Sequence, residues 1–335
     1  MLAAMRAALC SIALVLACGR GHRDEPPTAP TPPPASPLAS PSPPPPPAAC
    51  TLPALPLRLP AAKRLVAIGD LHGDLAATRS ALRAAGAIDD HDHWSGGALV
   101  VVQTGDVLDR GDDERAILDL FARLETEAGA AGGRFVALLG NHELMNGAAD
   151  FRYVTPGGLH DFDDVPHPAM ALPAGVPADA RGRVYALLAG GSYAHRLAQH
   201  NVIAIVGDTI FSHAGVLGAW TDRVDEVNHA SRCWLDGQTA EPSPALTSDD
   251  SPVWTRALGG PAPDCAAVTA ALAALDRFGV RRMVVGHTPQ DRGITSACND
   301  TLWRIDVGLA KHYGGPIEVL ELTAGAPPRV LRGTR

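Results

Sequence analysis

The stretch Gly105-Asp106-Val107-Leu108-Asp109-Arg110-Gly111 decides the fold that this sequence predicts. It follows Ala98–Gln103, a short apolar run with three consecutive valines, which is typical of a buried strand. Open α/β sheets bind their ligands at the carboxyl ends of such strands. Two carboxylates and an arginine between glycines suit a core poorly. The stretch therefore indicates a site in which a carboxylate binds a metal ion and Arg110 binds an anion.

The same succession of strand, polar motif and helix occurs on either side of this stretch. Strands are predicted at Arg64–Ile68 and Arg134–Leu139, and helices at Leu75–Ala85 and Glu114–Glu127. The motifs that follow strands are Gly69-Asp70-Leu71-His72-Gly73, Gly140-Asn141-His142-Glu143, Ser212-His213-Ala214-Gly215 and Gly286-His287-Thr288-Pro289. This order predicts an α/β protein with mixed sheets, or two sheets packed as a sandwich, between helices. Residues 144–200 are predicted to form a mainly helical insertion, with a helix at Val184–His200.

Six residues of these motifs form a set of metal ligands of mixed hardness. They are Asp70, His72, Asp106, Asn141, His213 and His287. Oxygen and imidazole ligands together suit Mn²⁺, Fe or Zn²⁺ better than Ca²⁺. One ion rarely needs six protein ligands, whereas two ions sharing the central Asp106 do. The set therefore predicts a dinuclear centre of the kind that activates water for an in-line displacement.

These five motifs resemble those of the calcineurin-like metallophosphoesterases, and most closely those of the phosphoprotein phosphatase (PPP) family. The segments Asp150–Val154, Asp306–Gly308 and Tyr313–Gly315 are similar to the bacterial Shewanella-like phosphatase branch. The resemblance covers about residues 65–320. It implies the calcineurin-like metallophosphoesterase fold, an α+β sandwich of mixed sheets between helices.

The resemblance also implies a role for each site residue. Asp70 and His72 would hold one ion, Asn141, His213 and His287 the other, with Asp106 as the bridge. His142 would be the general acid, oriented by Asp109. Arg110 and Arg256 would bind the phosphate, with Arg152 competing for the place of Arg256 and Tyr313 as a further substrate contact. Mn²⁺ is the expected metal, and Fe or Zn²⁺ are the alternatives.

The implied reaction is hydrolysis of phosphate monoesters by a metal-bridging hydroxide, as in serine/threonine or tyrosine protein phosphatases. Many phosphodiesterase relatives carry a second histidine in the last motif, where this sequence has Pro289, and this difference favours monoesters. A dinucleoside tetraphosphate hydrolase is the alternative enzyme, since such enzymes share the first and third motifs. A surface-tethered binding module without activity is the third hypothesis.

The net charge limits the classes of binding partner that the sequence supports. A net charge of −8 over 335 residues gives no support for a nucleic-acid surface. The expected partners are a phosphorylated protein, peptide or small phosphomonoester, and the chain is expected to be a monomer.

The first residues predict export. Residues 1–17 read as a signal peptide, and Val15-Leu16-Ala17-Cys18 resembles a bacterial lipobox, so that Cys18 would be lipidated. An ordinary signal peptide cut nearby is the alternative. Residues 19–58 read as a Pro-rich linker without a core, and 59–335 as the catalytic domain. The prediction is an envelope protein anchored by lipid on the periplasmic side of the outer membrane or at the cell surface.

Four cysteines remain for disulfides in that oxidising compartment, and four allow three pairings. We favour Cys233 with Cys265, because they bracket a loop rich in Pro, Gly and acids, and therefore Cys50 with Cys298.

Overall fold

A computed structural model describes residues 50–166, 172–174 and 176–335. The predicted signal peptide, the lipidated Cys18 and the linker up to residue 49 lie outside the described residues. No helix in the described ranges is both long and apolar enough to cross a membrane.

Two mixed β-sheets form the centre of the domain. The strands are β1 (Arg58–Leu59), β2 (Arg64–Ile68), β3 (Val100–Gln103), β4 (Arg134–Ala137), β5 (Ile203–Val206), β6 (Thr209–Ser212), β7 (Arg282–Val285), β8 (Thr295–Ala297), β9 (Leu302–Arg304), β10 (Glu318–Thr323) and β11 (Arg329–Arg332). One sheet has five strands in the order β11-β10-β2-β3-β4, and the other has six in the order β1-β5-β6-β7-β9-β8. Strands β2, β3 and β4 are parallel, as are β6, β7 and β9. Their carboxyl ends carry the polar motifs.

Helices cover the outer faces and the insertion. They are α1 (Leu75–Ala84), α2 (Glu114–Ala130), α3 (Asn141–Gly147), α4 (Pro156–His160), α5 (Arg181–Leu187), α6 (Ser192–Leu197), α7 (Val224–Leu235), α8 (Pro244–Thr247) and α9 (Cys265–Ala274). The first of them begins where the Asp74 carboxylate accepts the N–H of Ala77 at 2.9 Å, which satisfies one of the free donors of the first turn.

The central strands, such as β5 and β6, are buried on both faces, which explains their nearly continuous apolar sequence. In β2, Leu65 and Ala67 belong to a core cluster that draws on both sheets, whereas Val66 and Ile68 join the core shared with the helices. The fold class predicted from the sequence is therefore confirmed: mixed sheets lie between helices.

One predicted helix is wrong as a single element. Instead of one helix at Val184–His200, the chain forms α5 and α6, which are separated by Leu188–Gly191. Gly190 has φ +87° at this break, a conformation that interrupts a right-handed helix. The predicted hairpin of β5 and β6 is confirmed, with antiparallel pairing of Ile203 to Ser212.

Both favoured disulfide pairings are wrong. The structure joins Cys50 to Cys233, with Cα atoms 5.8 Å apart, and Cys265 to Cys298, with Cα atoms 5.2 Å apart. The loop between Cys233 and Cys265 does not bring its ends together, because α7 carries Cys233 beside the start of the folded chain. Arg232 next to it donates to the carbonyl oxygen of Pro53 at 2.8 Å.

The folded domain also begins earlier than the predicted residue 59. The disulfide of Cys50 and a hydrogen bond of 2.6 Å from the Thr51 N–H to Gln238 attach this segment to the end of α7. Leu57 is buried, and β1 adds a parallel edge strand to β5. Residues 50–58 therefore pack as part of the domain and not as linker.

Candidate metal centre

The six predicted metal ligands come together at the carboxyl ends of the central strands. Asp70 and Asp106 follow β2 and β3, Asn141 begins α3 after β4, and His213 and His287 follow β6 and β7. All six, including His72, are buried. The parallel strand order brings residues that are far apart in sequence to one edge of the two sheets.

Three ligand atoms converge around Nε2 of His213. The Oδ1 atom of Asn141 lies 3.0 Å from it, Nδ1 of His287 lies 3.1 Å from it, and Oδ2 of Asp106 lies 3.1 Å from it. Ligands bonded at about 2.0–2.2 Å around a tetrahedral ion are about 3.3–3.5 Å apart. The three distances from Nε2 of His213 are therefore close to those between ligands of one divalent ion.

The remaining imidazole nitrogens contact backbone carbonyl oxygens. Nδ1 of His213 is 3.1 Å from the oxygen of Thr104, and Nε2 of His287 is 3.2 Å from the oxygen of Trp254. A proton on each of these nitrogens would donate to the carbonyl, which leaves the lone pairs of the facing nitrogens free for a metal. The donor set therefore fits a metal in its tautomers as well as in its spacing.

A second group shares Asp106 with the first. Nε2 of His72 lies 3.8 Å from Oδ2 of Asp106 and 4.0 Å from Oδ2 of Asp70. Its Nδ1 is 3.0 Å from the carbonyl oxygen of Leu108, the same arrangement as in the first group. Oδ2 of Asp106 thus faces ligands of both groups, so Asp106 could be shared by two ions.

Burial disfavours the charged forms of His72 and His287 and of the neighbouring carboxylates. It lowers the pKa of His72 to about 4 and that of His287 to about 2. Burial opposes ionisation of Asp106, but the facing His213 and His142 hold its pKa well below the ordinary value. Burial and the charges of Asp306 and Asp106 raise the pKa of Asp70 well above its ordinary value.

The crowding extends to Asp306, a buried residue whose pKa burial raises to about 6. No donor among the described residues reaches its Oδ2 atom. Buried carboxylates that lack enough hydrogen-bond donors would be stabilised by a bound cation. The residues present therefore fit a pair of bound divalent ions.

Glu143 fixes the loop that carries Asp106. Its carboxylate accepts the backbone N–H groups of Asp106 and Val107 at 2.8 Å, of Leu108 at 3.1 Å and of Gly140 at 2.7 Å. Only glycine fits at position 140, since a Cβ atom there would collide with the carboxylate of Asp106. The third motif therefore holds the second in place besides supplying Asn141.

The imidazole ring of His142 lies between the carboxylates of Asp106 and Asp109. Its Nδ1 lies 2.5 Å from Oδ2 of Asp109, and its Nε2 lies 3.7 Å from Oδ2 of Asp106. Burial opposes protonation of the ring, but the carboxylates of Asp106 and Asp109 raise the pKa of His142 above its ordinary value. The raised pKa favours the protonated ring, and Nε2 of His142 faces the metal centre.

Arg110 stands at the mouth of the site between two tyrosines. Its Cζ atom is 4.8 Å from the ring centroid of Tyr153 and 5.2 Å from that of Tyr313. Its Nε atom is buried and finds no acceptor among the described residues, so one donor of this guanidinium is unsatisfied. Tyr153 and Tyr313 are 40% and 37% exposed. Among the described residues, these two are the large hydrophobic side chains that are exposed.

The two other predicted arginines occupy different surroundings. Nη1 of Arg256 lies 3.5 Å from Oγ1 of Thr288, beside His287, and its charge helps to lower the pKa of that histidine. Arg152 is paired with Asp150 at 2.6 Å, and its side chain is 65% exposed. Arg256 is therefore placed beside the cluster, whereas the charge of Arg152 is already compensated at the surface.

Several residues of the site carried no role in the sequence interpretation. They are Glu114, Glu143, Asn146, Tyr153, Arg183 and Asp306. Glu143, Tyr153 and Asp306 lie in stretches that the sequence analysis quotes, so their sequence signal was present. Arg183 lies in the insertion, where the sequence offers no signal.

Two mixed sheets between helices, with carboxylate, amide and imidazole ligands at one edge, define a metallophosphoesterase. A model of the calcineurin-like phosphoesterase family matches residues 63–291, and the chain belongs to this family.

Within this family, the chain is similar to several protein phosphatases. The chain is 40% identical to Shewanella-like protein phosphatase 2 of Arabidopsis thaliana, over 80% of this chain and 77% of that protein. A solved structure of a cold-active protein tyrosine phosphatase is 25% identical, with a TM-score of 0.66 over 81% of this chain and 76% of that one. Another, from a psychrophilic Shewanella species, shares the fold with a TM-score of 0.67, 24% identity and 83% coverage of both chains. The resemblance read from the motifs is confirmed.

Proposed function

We propose that the chain hydrolyses phosphate monoesters on phosphorylated proteins or peptides, with two divalent ions bound by the six clustered ligands. The observation that carries this proposal is the convergence on Oδ2 of Asp106, which lies 3.1 Å from Nε2 of His213 and 3.8 Å from Nε2 of His72. Protein phosphatases among the relatives support it. They do not favour the dinucleoside tetraphosphate alternative.

The protein's own residues bind the phosphate and supply the proton. Bound divalent ions lower the pKa of water and polarise phosphoryl oxygens. Arg110 and Arg256 would bind the phosphate, since each guanidinium can bind phosphate oxygens through two N–H groups. Nε2–H of His142 then protonates the departing oxygen, while Asp109 accepts Nδ1–H and keeps the ring oriented.

Assays of the purified protein with several divalent metals test this proposal. We expect turnover of p-nitrophenyl phosphate and phosphopeptides in the presence of Mn²⁺, and less with Fe²⁺ or Zn²⁺. Preferred hydrolysis of diadenosine tetraphosphate would instead support the alternative enzyme. Absence of turnover with every metal and substrate would overturn the proposal.

The two tyrosines favour an aromatic substrate. The ring centroid of Tyr153 is 5.1 Å from that of His142, and the centroid of Tyr313 is 5.5 Å from that of His72. A phosphate seated on Arg110 would place its ester group between these exposed rings. We therefore propose phosphotyrosine as the preferred residue, and the tyrosine phosphatases among the solved relatives support this.

Replacing Tyr153 by alanine tests this preference. The ratio of kcat/KM for phosphotyrosine to phosphoserine peptides should fall about 2–10-fold, as expected for an aromatic contact of about 0.5–1.5 kcal/mol. Tyr153→Phe keeps the ring and should keep the ratio. An unchanged ratio in the alanine variant would show that the ring does not select the substrate.

We propose further that the chain is exported and anchored through a lipid on Cys18. The two disulfides support an oxidising compartment, because such bonds are rare where thiols are kept reduced. Replacing Cys18 by alanine should move the protein from the membrane fraction to the soluble fraction of fractionated bacterial cells. Cys10→Ala is the matched control, because Cys10 lies in the predicted signal peptide and its loss should leave the fractionation unchanged. Retention of the Cys18→Ala variant in membranes would contradict the anchor.

A further inference from the structure

Arg183 is a completely buried arginine in the insertion, and all five of its N–H groups are used. Nε donates to Oδ1 of Asn146 at 2.9 Å, and Nη1 donates to the carbonyl oxygen of Gly158 at 2.9 Å and to Oε2 of Glu114. Nη2 donates to Oδ1 of Asp109 at 3.0 Å and to Oε1 of Glu114 at 3.0 Å. A buried charge with every donor satisfied is a built network and not an accident of packing.

This network ends on the proton donor of the site. Oδ1 of Asp109 accepts from Arg183 and, at 3.0 Å, from Nδ2 of Asn146, while its Oδ2 faces Nδ1 of His142. Nδ2 of Asn146 also donates to the backbone oxygen of His142 at 2.9 Å. Both oxygens of Asp109 are therefore fixed, one by Arg183 and Asn146 and the other by the imidazole.

Glu114 extends the same control to the backbone. Its carboxylate is bound by Arg183 and accepts the N–H of Asp109. Asp109 has φ +68°, a strained conformation for a residue with a side chain, which surrounding contacts must maintain. Arg183 thus supports the side chain of Asp109 directly and its backbone through Glu114.

We infer that Arg183 is a positioning residue that orients the Asp109–His142 pair, and that the insertion thereby controls proton donation to the leaving group. This inference rests on the proposed phosphomonoesterase function. Lysine could not replace this arginine, because its compact ammonium group has three donors and cannot span Asp109, Glu114 and Asn146 in one plane.

The leaving group provides a readout that a merely structural role would not change. p-Nitrophenolate is a weak base and leaves with little help from an acid, whereas the alkoxide of a phosphoserine peptide must be protonated. If Arg183 orients the acid, Arg183→Met should lower kcat on the phosphoserine peptide at least about tenfold more than on p-nitrophenyl phosphate, within the range of general acid catalysis. Bound metal should stay unchanged.

Arg232→Met is the matched control. Arg232 is also a buried arginine, but it donates to the carbonyl oxygens of Ala198 and Pro53, away from the site. Its loss should change the rates for both substrates by the same factor. Arg183→Lys keeps the charge of the network, so this variant carries the comparison if Arg183→Met does not fold.

A spectroscopic measurement on the metal-free protein gives a second readout. The Nδ1–H proton of His142, directed at Asp109, should give a downfield proton resonance that shifts in Arg183→Lys and stays in place in Arg232→Met. Equal losses on both substrates together with an unshifted resonance would overturn the inference. A wild-type protein inactive on every phosphomonoester would overturn the proposed function instead, and the resonance would still report on Arg183.

Discussion

Replacing Asp106 by asparagine is expected to remove most bound metal and to lower phosphomonoester hydrolysis by more than about 10–100-fold. Loss of an outer-shell partner of a metal site already costs about that factor, and Asp106 would be a direct ligand. One oxygen of Asp106 lies within 3.1 Å of Nε2 of His213, 3.7 Å of Nε2 of His142 and 3.8 Å of Nε2 of His72. Asparagine offers a neutral oxygen there, so it cannot bridge two cations or balance the protonated His142. Metal content per chain and the rate on p-nitrophenyl phosphate are the measurements.

Glu321→Gln is a matched control for this substitution. Glu321 is also a buried carboxylate, but it lies on β10 and pairs with Arg64 at 2.6 Å, so its neutralisation should leave metal content and rate intact. An Asp106→Asn protein that kept both metal ions and the wild-type rate would disprove the bridging role.

The convergence of the six ligands could be predicted because strand order requires it. Each motif follows a short apolar run, and parallel strands in one sheet bring their carboxyl ends to one edge. His213 and Asp106 meet across the two sheets, and no single motif contains that information. The repeated pattern of strand, motif and helix supplied it.

Contacts between distant elements without such a pattern could not be predicted. Cys233 pairs with Cys50 because α7 packs beside the first folded residues, and neither sequence distance nor loop composition indicates this. The break at Leu188–Gly191 is different, because its Gly190-Gly191 pair is a turn signal that the predicted helix overlooked. Arg183 reaches Asp109 across the insertion, where its sequence neighbours give no sign of burial.

These two kinds of contact divide the site by function. The strand-end motifs supply the metal ligands and Arg110, which the sequence pattern reveals. The insertion supplies Arg183 and Tyr153, for which we propose roles in orienting the acid and in selecting the substrate. The insertion, whose sequence has no regular strand pattern, would thus adapt a common hydrolytic centre to a particular leaving group.

Replacing His142 by asparagine is expected to lower kcat by about 10²–10⁴-fold on a substrate with a strongly basic leaving group, the usual contribution of a general acid. The loss on p-nitrophenyl phosphate should be smaller. Bound metal should be retained, because the six proposed ligands are unchanged in this variant and Nδ1 of His142 is already bound to Asp109 at 2.5 Å. His195→Asn, at a surface histidine paired with Asp236, is the control and should match the wild type. Loss of metal in His142→Asn would make this residue a ligand, and a wild-type rate on the phosphoserine peptide would exclude it as the acid.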